Sequence, residues 1–320
     1  MRKKHAGSRA ARSTRTDLVI RPARTEDRAA LEAIAAQIWE GDDYLPRVFD
    51  EWLADPHGGF FVAELHGQVI GAAKISRLSE GEWWLQGLRV DPAYQRQGIG
   101  RVLHHFIANE VRKYGTGQVR FSTASTTSAV HQLARETGFR QELMCAILHA
   151  PALDEPPQGW RALGVEDLTR VQEWLQRSAH FERMGGSLEW NWTFYRITPS
   201  LLRERLSAGL VYGWSGTPPE GVLILNPAKP TDNPPALKIG YLDVPDAELR
   251  EAARDARRLA VALGQARVRV KPPKTQVAVY AQAGFAREWE GEVWLYARDL
   301  VLTRHAEIRH ETPLPPNTHD

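Results

Sequence analysis

Two hydrophobic periods alternate along the first half of the chain and divide it into strands and helices. Apolar runs and two-residue alternation predict strands at residues 18–21, 60–65, 68–75, 82–90, 119–122 and 143–148. Apolar residues spaced three and four apart predict helices that follow a Thr25 cap, cover residues 48–53, and run over 99–111 and 129–136. Gly138 suits the left-handed position just after the last of these helices. The pattern therefore predicts a mixed α/β fold, with the strands in a sheet that helices flank.

The second half repeats part of this pattern after a proline-containing segment at residues 151–159, which has the composition of a linker. Strands are predicted at 210–214, 222–225, 237–244, 266–270 and 293–297, and Asp246 is predicted to cap a long helix that ends at Leu263. Aligning residues 133–139 with 279–285 places Gly138 on Gly284. We therefore predict two related halves at 17–150 and 160–300, between a basic arm at 1–16 and a tail at 301–320.

The stretch between strand 82–90 and helix 99–111 carries the clearest functional signal. Pro92 ends the strand because proline lacks an amide donor for the next hydrogen bond of the sheet. Gly98 and Gly100 allow close approach of the backbone to an anion, and the free N–H groups of a helix start favour negative charge. A plain tight turn is the alternative for any such glycine pair, but the strand and helix around it favour a pyrophosphate site.

Composition narrows the class of protein. The 320 residues include a single cysteine, Cys145, which predicts a buried strand thiol and a reducing, cytoplasmic environment. Six basic and no acidic residues fall in 1–16, which leaves 35 basic and 39 acidic residues in the remainder. The mildly acidic body argues against nucleic acid as a partner, and no apolar run is long enough to span a membrane. We expect no metal site, and the oligomeric state stays open.

The motif Gln95-x-x-Gly98-x-Gly100, preceded by Leu-x-Val-Asp-Pro and followed by an amphipathic helix, resembles the acetyl-CoA signature of the GNAT N-acetyltransferase superfamily. The order of elements in residues 17–150 is similar to that family throughout, and the second half resembles a degenerate copy. The resemblance implies tandem GNAT domains, each a twisted mixed sheet between helices in a three-layer α/β arrangement. It implies acetyl-CoA as cofactor and N-acetyl transfer as the reaction.

The same resemblance assigns the donor site residue by residue. Backbone groups at the end of the strand bind pantetheine and the thioester oxygen, and the loop holds the pyrophosphate. The strand positions are Leu88, Arg89 and Val90, and the loop positions are Gln95, Arg96, Gln97, Gly98, Ile99, Gly100 and Arg101. In the second half the equivalent stretch, residues 243–246, has two carboxylates and no glycine, and would repel a pyrophosphate.

Acid and base are less clearly marked. Many relatives place a tyrosine four residues before the Gly-Phe pair as the acid for the leaving thiolate, but this chain has Ala134 there and Tyr280 at the second-half equivalent. Glu82 is a candidate base on the strand where family members often place a glutamate, although a solvated strand-end residue is the alternative. His131 is a competing acid or base because imidazole titrates near neutral pH, and a merely exposed helical histidine is the alternative. All three are predicted catalytic residues.

The acceptor is expected between the first two helices. Asp42 and Asp43 beside Tyr44 could hold a cationic or amino-bearing small molecule, and Trp84 and Gln86 share the same strand face as Glu82. A helix-capping loop is the alternative reading of residues 41–46. Trp39-x-Gly-x-Asp-Tyr-Leu-Pro, with residues 52–53 and 87–90, is similar to the vertebrate N-acetylhistidine-forming acetyltransferases, which implies a free amino acid as acceptor. Aminoglycosides, polyamines, protein N-termini and a non-catalytic acyl-CoA sensor stay open.

Overall fold

The computed structural model describes residues 17–215, 220–227 and 234–300. The basic arm and the tail of the sequence prediction lie outside these residues. Fourteen strands are found in the described part, and their bounds are β1 Leu18–Pro22, β2 Gly59–Leu65, β3 Gln68–Ser79, β4 Glu82–Val90, β5 Gly117–Ala124, β6 Arg140–Pro151, β7 Trp160–Ala162, β8 Ser187–Trp190, β9 Thr193–Arg196, β10 Val211–Trp214, β11 Val222–Leu225, β12 Ala236–Asp243, β13 Arg267–Val270 and β14 Ala286–Leu300.

The α-helices of the same residues are α1 Arg28–Ala35, α2 Leu45–Ala54, α3 Ile99–Glu110, α4 Ser128–Glu136, α5 Leu168–Arg177, α6 Ala179–Arg183, α7 Pro199–Ser207, α8 Leu249–Ala262 and α9 Val277–Gln282. Every predicted strand and helix is present, and β4 has the predicted bounds. Gly138 follows α4 with φ +76°, and Gly284 follows α9 with φ +84°, as the repeat predicts.

Two predicted helix caps are wrong. Thr25 lies in a short 3₁₀ turn, and α1 begins three residues later at Arg28. The carboxylate of Asp27 orders this turn instead, because it accepts a 2.8 Å hydrogen bond from the Arg24 N–H and pairs with the Arg21 guanidinium. Helix α8 begins at Leu249 rather than next to Asp246, whose side chain is exposed.

Twelve strands of the described residues form one sheet, in the order β1-β2-β3-β4-β5-β14-β6-β13-β12-β11-β10-β7. Strand β14, from the end of the second half, lies between β5 and β6 of the first half. Strand β6 in turn lies between β14 and β13, so that the final strand of each half borders strands of the other. Hydrogen bonds of the sheet therefore cross the predicted boundary at 151–159, and the domain limits remain a prediction.

Helices cover both faces of the sheet. On one face, α3 and α4 pack over the first half and α8 and α9 over the second. On the opposite face, α1 and α2 pack against β2 and β3, while α5, α6 and α7 and the separate β8–β9 hairpin cover the centre and second half. Residues of β6 alternate between the faces, with Cys145 on the second and Ala146 on the first. The result is the predicted three-layer α/β arrangement.

Candidate active site

Strands β4 and β5 begin as neighbours and then separate. They are parallel, and their pairing covers only Glu82–Trp84 of β4 against Gln118–Arg120 of β5. Beyond Trp84 the register between β3 and β4 shifts, and Gly87 in this irregular stretch has φ +65°. A Cβ atom on Gly87 would lie 2.5 Å from the Trp52 ring, so glycine is required there. The two strands thus form a wedge that opens at their carboxyl ends.

The loop after β4 closes the open end of this wedge. Gly98 precedes α3 with φ +88°, and Arg96 also has a positive φ of +59°. The first hydrogen bond of the helix type runs from the Val102 N–H to the Gly98 carbonyl at 3.1 Å, so the preceding amides are not used by the helix. A Cβ atom on Gly100 would meet only the Val90 side chain, at 3.6 Å. Donors and open space together fit a pyrophosphate.

The predicted donor-site residues occupy this wedge and loop. Gln95, Arg96 and Gln97 are exposed, Ile99 is buried beneath the loop, and Leu88 and Val90 pack toward α3. The Arg101 guanidinium pairs with Glu136 at 3.0 Å, at the end of α4. The structure therefore brings the strand end and the loop together, as the motif predicts. The Arg89 side chain points elsewhere.

Arg89 anchors the loop that precedes α2. Its Nε donates to the Asp43 carboxylate at 2.6 Å, and its guanidinium lies over the rings of Trp39 at 4.5 Å and Tyr44 at 5.2 Å. Asp43 is buried and also accepts a hydrogen bond from the Leu45 N–H. Its carboxylate is thus already paired, which contradicts the expectation that it is free to hold a cationic acceptor.

The other predicted acceptor residues differ in how accessible their side chains are. The Asp42 carboxylate is exposed and lies 3.6 Å from the Arg47 guanidinium. Trp84 is buried in the cluster that joins β4 to the second half, so it cannot contact an acceptor without rearrangement. Gln86 is half-buried and donates a 2.9 Å hydrogen bond to the Ser76 hydroxyl. Tyr44 is half-buried, and this burial raises the pKa of its hydroxyl.

Glu82 lies at the closed end of the wedge, where β4 and β5 are still paired. Its side chain is buried and pairs with the Arg120 guanidinium. It also accepts hydrogen bonds from the Ser79 hydroxyl at 2.9 Å and from the Arg196 N–H at 3.0 Å. The alternative of a solvated strand-end glutamate is therefore wrong. These partners account for the carboxylate, and its role as a base stays a prediction that no contact supports.

His131 is a buried residue of α4, the helix that follows the carboxyl end of β5. Its Nε2 is 3.1 Å from the Ser125 carbonyl, and its Nδ1 is 3.0 Å from the Tyr296 hydroxyl of β14. Because the carbonyl can only accept, Nε2 carries the proton and Nδ1 accepts from the tyrosine. The imidazole also lies 4.4 Å from the Trp294 ring. This histidine is buried and oriented, which the alternative of a merely exposed helical histidine does not describe.

Tyr280 is far from this wedge in the fold. It is buried in the core between α8, α9 and the second-half strands, and its ring meets Phe285 edge to face at 5.3 Å. Burial raises its pKa. Its prediction as a catalytic residue is thus contradicted, because a phenol in this core can neither reach the wedge nor readily lose its proton.

The second-half equivalent of the loop is built differently. The Asp243 carboxylate is buried and accepts hydrogen bonds from the Tyr241 hydroxyl at 2.9 Å and the Trp174 indole at 3.2 Å. This negative charge, and the lack of glycine, oppose a pyrophosphate at that place. Cys145 is fully buried on β6, beside Val293 of β14, as predicted, and burial raises the pKa of its thiol.

Sequence reasoning missed two side chains around the wedge. Lys74 is almost fully buried on β3 beside Gly87, pairs with Asp55 and has a pKa lowered by burial. A lysine inside an apolar strand was the only available signal. Tyr296 comes from the second half, and nothing in its local sequence connects it with the first.

Comparison with known proteins identifies the class that this wedge and loop define. Residues 27–139 match the Acetyltransferase (GNAT) family model. The chain is also 35% identical over 112 residues to the N-alpha-acetyltransferase RimI of Mycobacterium tuberculosis, covering 34% of this chain and 69% of that protein. The chain therefore belongs to the GNAT acetyltransferase family. It is an N-acetyltransferase, and its acetyl donor is acetyl-CoA.

More particular relatives match a shorter part. The chain is 35% identical over 88 residues to the histidine N-acetyltransferase of Oreochromis niloticus, which is 27% of this chain and 26% of that protein. Among solved structures, a GCN5-related N-acetyltransferase from Sphaerobacter thermophilus has a TM-score of 0.59 at 13% identity and covers 89% of this chain and 96% of its own. A tandem GNAT protein from the clavulanic acid biosynthesis pathway has a TM-score of 0.55 at 17% identity, over 89% and 99%.

These likenesses confirm the predicted fold class of a tandem GNAT protein. Across residues 17–215, 220–227 and 234–300, no helix combines the length and apolar character that crossing a lipid bilayer demands. The same described residues contain no cluster of three or more potential metal ligands.

Proposed function

We propose that this enzyme transfers the acetyl group of acetyl-CoA to the amine of a small molecule, with a free amino acid as the acceptor. The observation that supports this is the position of the β8–β9 hairpin on the acceptor face of the wedge. Arg120 of β5 donates to the Phe194 carbonyl at 2.8 Å, and the Ser122 hydroxyl donates to the Trp192 carbonyl at 2.5 Å. A hairpin fixed there narrows the face on which an extended peptide would lie.

In this proposal the wedge and the loop hold the donor. The loop amides from Gly98 to Arg101 bind the pyrophosphate, and the open edge of β4 from Leu88 to Val90 binds the pantetheine arm. Acetyl-CoA supplies an acyl group activated as a thioester. Residues 243–246 of the second half lack such a loop, and we propose one donor site per chain.

We propose that His131 and Tyr296 form the acid–base pair of the reaction. The hydrogen bond between the Tyr296 hydroxyl and Nδ1 polarises the phenol, and the Ser125 carbonyl fixes the imidazole tautomer. The pair lies beside the position on α4 where relatives have a tyrosine and this chain has Ala134. Replacing Tyr296 by phenylalanine should lower kcat more than it raises KM, and a variant with normal kcat would exclude the role.

Acetylation of protein N-termini is the second candidate. The Mycobacterium tuberculosis relative, which matches this chain over 112 residues, is named an N-alpha-acetyltransferase. The test is a thiol-release assay of the full chain with acetyl-CoA against free amino acids, simple amines and short peptides of matched N-terminal residue. We expect free amino acids to give the highest kcat/KM. Faster turnover of the peptides would replace the small-molecule proposal with the second candidate.

The same assay tests whether the protein is only a sensor. Bound acetyl-CoA without thiol release for any amine in the series would contradict a catalytic function and favour an acyl-CoA sensor. We also propose a cytoplasmic location, since the single cysteine of the chain is a free, buried thiol.

A further inference from the structure

Arg205 is a buried guanidinium without a matching anion. It lies on α7 with 3% of its surface exposed, and its guanidinium carbon is 5.2 Å from the centre of the Trp190 ring. Its Nε has no hydrogen-bond partner among the described residues. The nearest carboxylate belongs to Glu204, at 3.8 Å, and that side chain is 67% exposed to solvent. Such a contact is too long for a hydrogen bond and is screened by water.

A buried cation without a partner is costly, and proteins seldom keep one that has no use. Burial lowers the pKa of Arg205, which reflects this cost. The planar guanidinium also has its donors arranged as a fork that matches a carboxylate. The cation–π contact with the Trp190 ring restricts where the guanidinium can lie. The side chain is therefore prepared for an anion that the protein itself does not provide.

The surroundings of Arg205 place this empty fork at the junction of the two halves. The Tyr195 ring lies 6.0 Å from that of Trp190, on the hairpin that covers the acceptor face. The next residue, Arg196, donates its backbone N–H to the Glu82 carboxylate of β4 at 3.0 Å. The hairpin strand that carries Tyr195 therefore contacts the first half directly.

The first-half side of this junction is next to the wedge. Ser122, whose hydroxyl donates to the Trp192 carbonyl at 2.5 Å, lies on β5 just beyond the residues that pair with β4. An acceptor amine in the wedge would therefore lie beside the hairpin whose Trp190 contacts Arg205.

We propose that Arg205, fixed by Trp190, binds the carboxylate of the acceptor, which makes the acceptor class α-amino acids rather than simple amines. This inference rests on the proposed function, because it assigns the substrate class of the same site. It goes further in giving the second half a direct part in recognition. Histidine is one member of the class, and the carboxylate is what the members share.

The experiment compares matched pairs that differ only in the carboxylate: histidine with histamine, tyrosine with tyramine, and lysine with cadaverine. For the wild-type protein with saturating acetyl-CoA, we expect the amino acid of a turned-over pair to have the higher kcat/KM. In Arg205→Met that preference should fall by about 10- to 150-fold, mainly through KM, since a charge-assisted contact is lost. The decarboxylated amine should be affected less than 3-fold.

A binding measurement keeps the inference testable without turnover. Isothermal titration calorimetry of the CoA-loaded protein with the same pairs measures binding directly. The inference predicts tighter binding of the carboxylate-bearing member and loss of that difference in Arg205→Met. Arg203→Met, on the exposed side of α7, is the matched control and should keep the difference.

The outcomes separate the two proposals. Equal binding of both members of each pair, or a carboxylate preference that survives Arg205→Met, overturns the role of Arg205 even if amines are acetylated. Carboxylate-dependent binding without thiol release supports the anion site and contradicts the proposed catalytic function. Arg205→Met should remain folded, because methionine replaces an unpaired buried cation by an apolar chain of similar length. Circular dichroism and thermal unfolding check this directly.

Discussion

Replacing Arg120 by methionine should strongly destabilise the protein, because it leaves the Glu82 carboxylate buried without its counter-ion. Both side chains have about 1% of their surface exposed. The Arg120 guanidinium also donates to the Ser187 hydroxyl at 2.7 Å and to the Phe194 carbonyl at 2.8 Å. Breaking a buried pair by removing one partner costs about 3–5 kcal/mol. We expect a loss of this size in the free energy of unfolding.

The double variant Arg120→Met with Glu82→Gln should be more stable than Arg120→Met alone by about 2 kcal/mol, since no buried charge remains. The glutamine oxygen can still accept from the Arg196 N–H, and its NH2 group can donate to the Ser79 hydroxyl. Urea unfolding, followed by tryptophan fluorescence and circular dichroism, measures each variant. Arg140→Met is the control, because its pair with Asp299 is 3.3 Å long and mostly exposed, and it should change stability by less than about 1 kcal/mol.

Two results would refute this reasoning. Arg120→Met that loses less than about 1 kcal/mol would mean that the pair does not stabilise the junction. A Glu82→Gln variant of unchanged stability, whose kcat loses its acidic limb in the pH profile, would show that Glu82 is the catalytic base. In that case the contacts with Arg120 and Ser79 would serve to tune a base and not to hold the fold.

Three further predictions concern the loop, the anchor of the loop before α2, and a buried histidine. Gly98→Asp should abolish acetyl-CoA binding in calorimetry, because φ +88° disfavours a side chain and the new carboxylate repels pyrophosphate; unchanged affinity would remove the assignment. Asp43→Asn should cost about 2 kcal/mol or more in thermal unfolding by weakening the pair with Arg89, whereas the exposed Asp42→Asn should cost little, and equal effects would contradict the anchor role. Burial lowers the pKa of His104 to about 4, so stability present above pH 6.5 should fall by about 2 kcal/mol on going to pH 5; His104→Leu should remove that dependence and the exposed His57→Leu should not.

The fold was predictable where local patterns determine it. Strand β4 and helix α3 have strong periodicity on either side of Pro92, and both appear at the predicted positions. The predicted cap at Thr25 is wrong because the Asp27 carboxylate accepts the backbone hydrogen bond at that turn. The predicted cap at Asp246 is wrong because the helix begins three residues later, at Leu249. The exchanged positions of β6 and β14 could not be read from the sequence, since both are apolar strands whose neighbours depend on long-range pairing.

The candidate site shows the same division. The loop from Gln95 to Arg101 was predictable because its glycines carry a backbone requirement that sequence records. The roles of Asp43 and Glu82 were not predictable. The sequence around an acidic residue does not show whether its side chain faces solvent or pairs with a buried arginine that is distant in the chain. Arg120 and Arg89 supply those partners from other elements, and only the tertiary structure brings them together.

The position of β14 has a consequence for how the chain is made. Ser125 and Glu292, which are hydrogen-bonded across β5 and β14, lie 167 residues apart in sequence. At about 5–20 residues per second, a ribosome needs roughly ten to thirty seconds to make the segment between them. During that interval the edge of β5 that later pairs with β14 lacks its native neighbour, and Tyr296 has not yet been synthesised. The sheet of the first half is therefore complete only after β14 of the second half has been synthesised, so the first half cannot reach its final structure without the second.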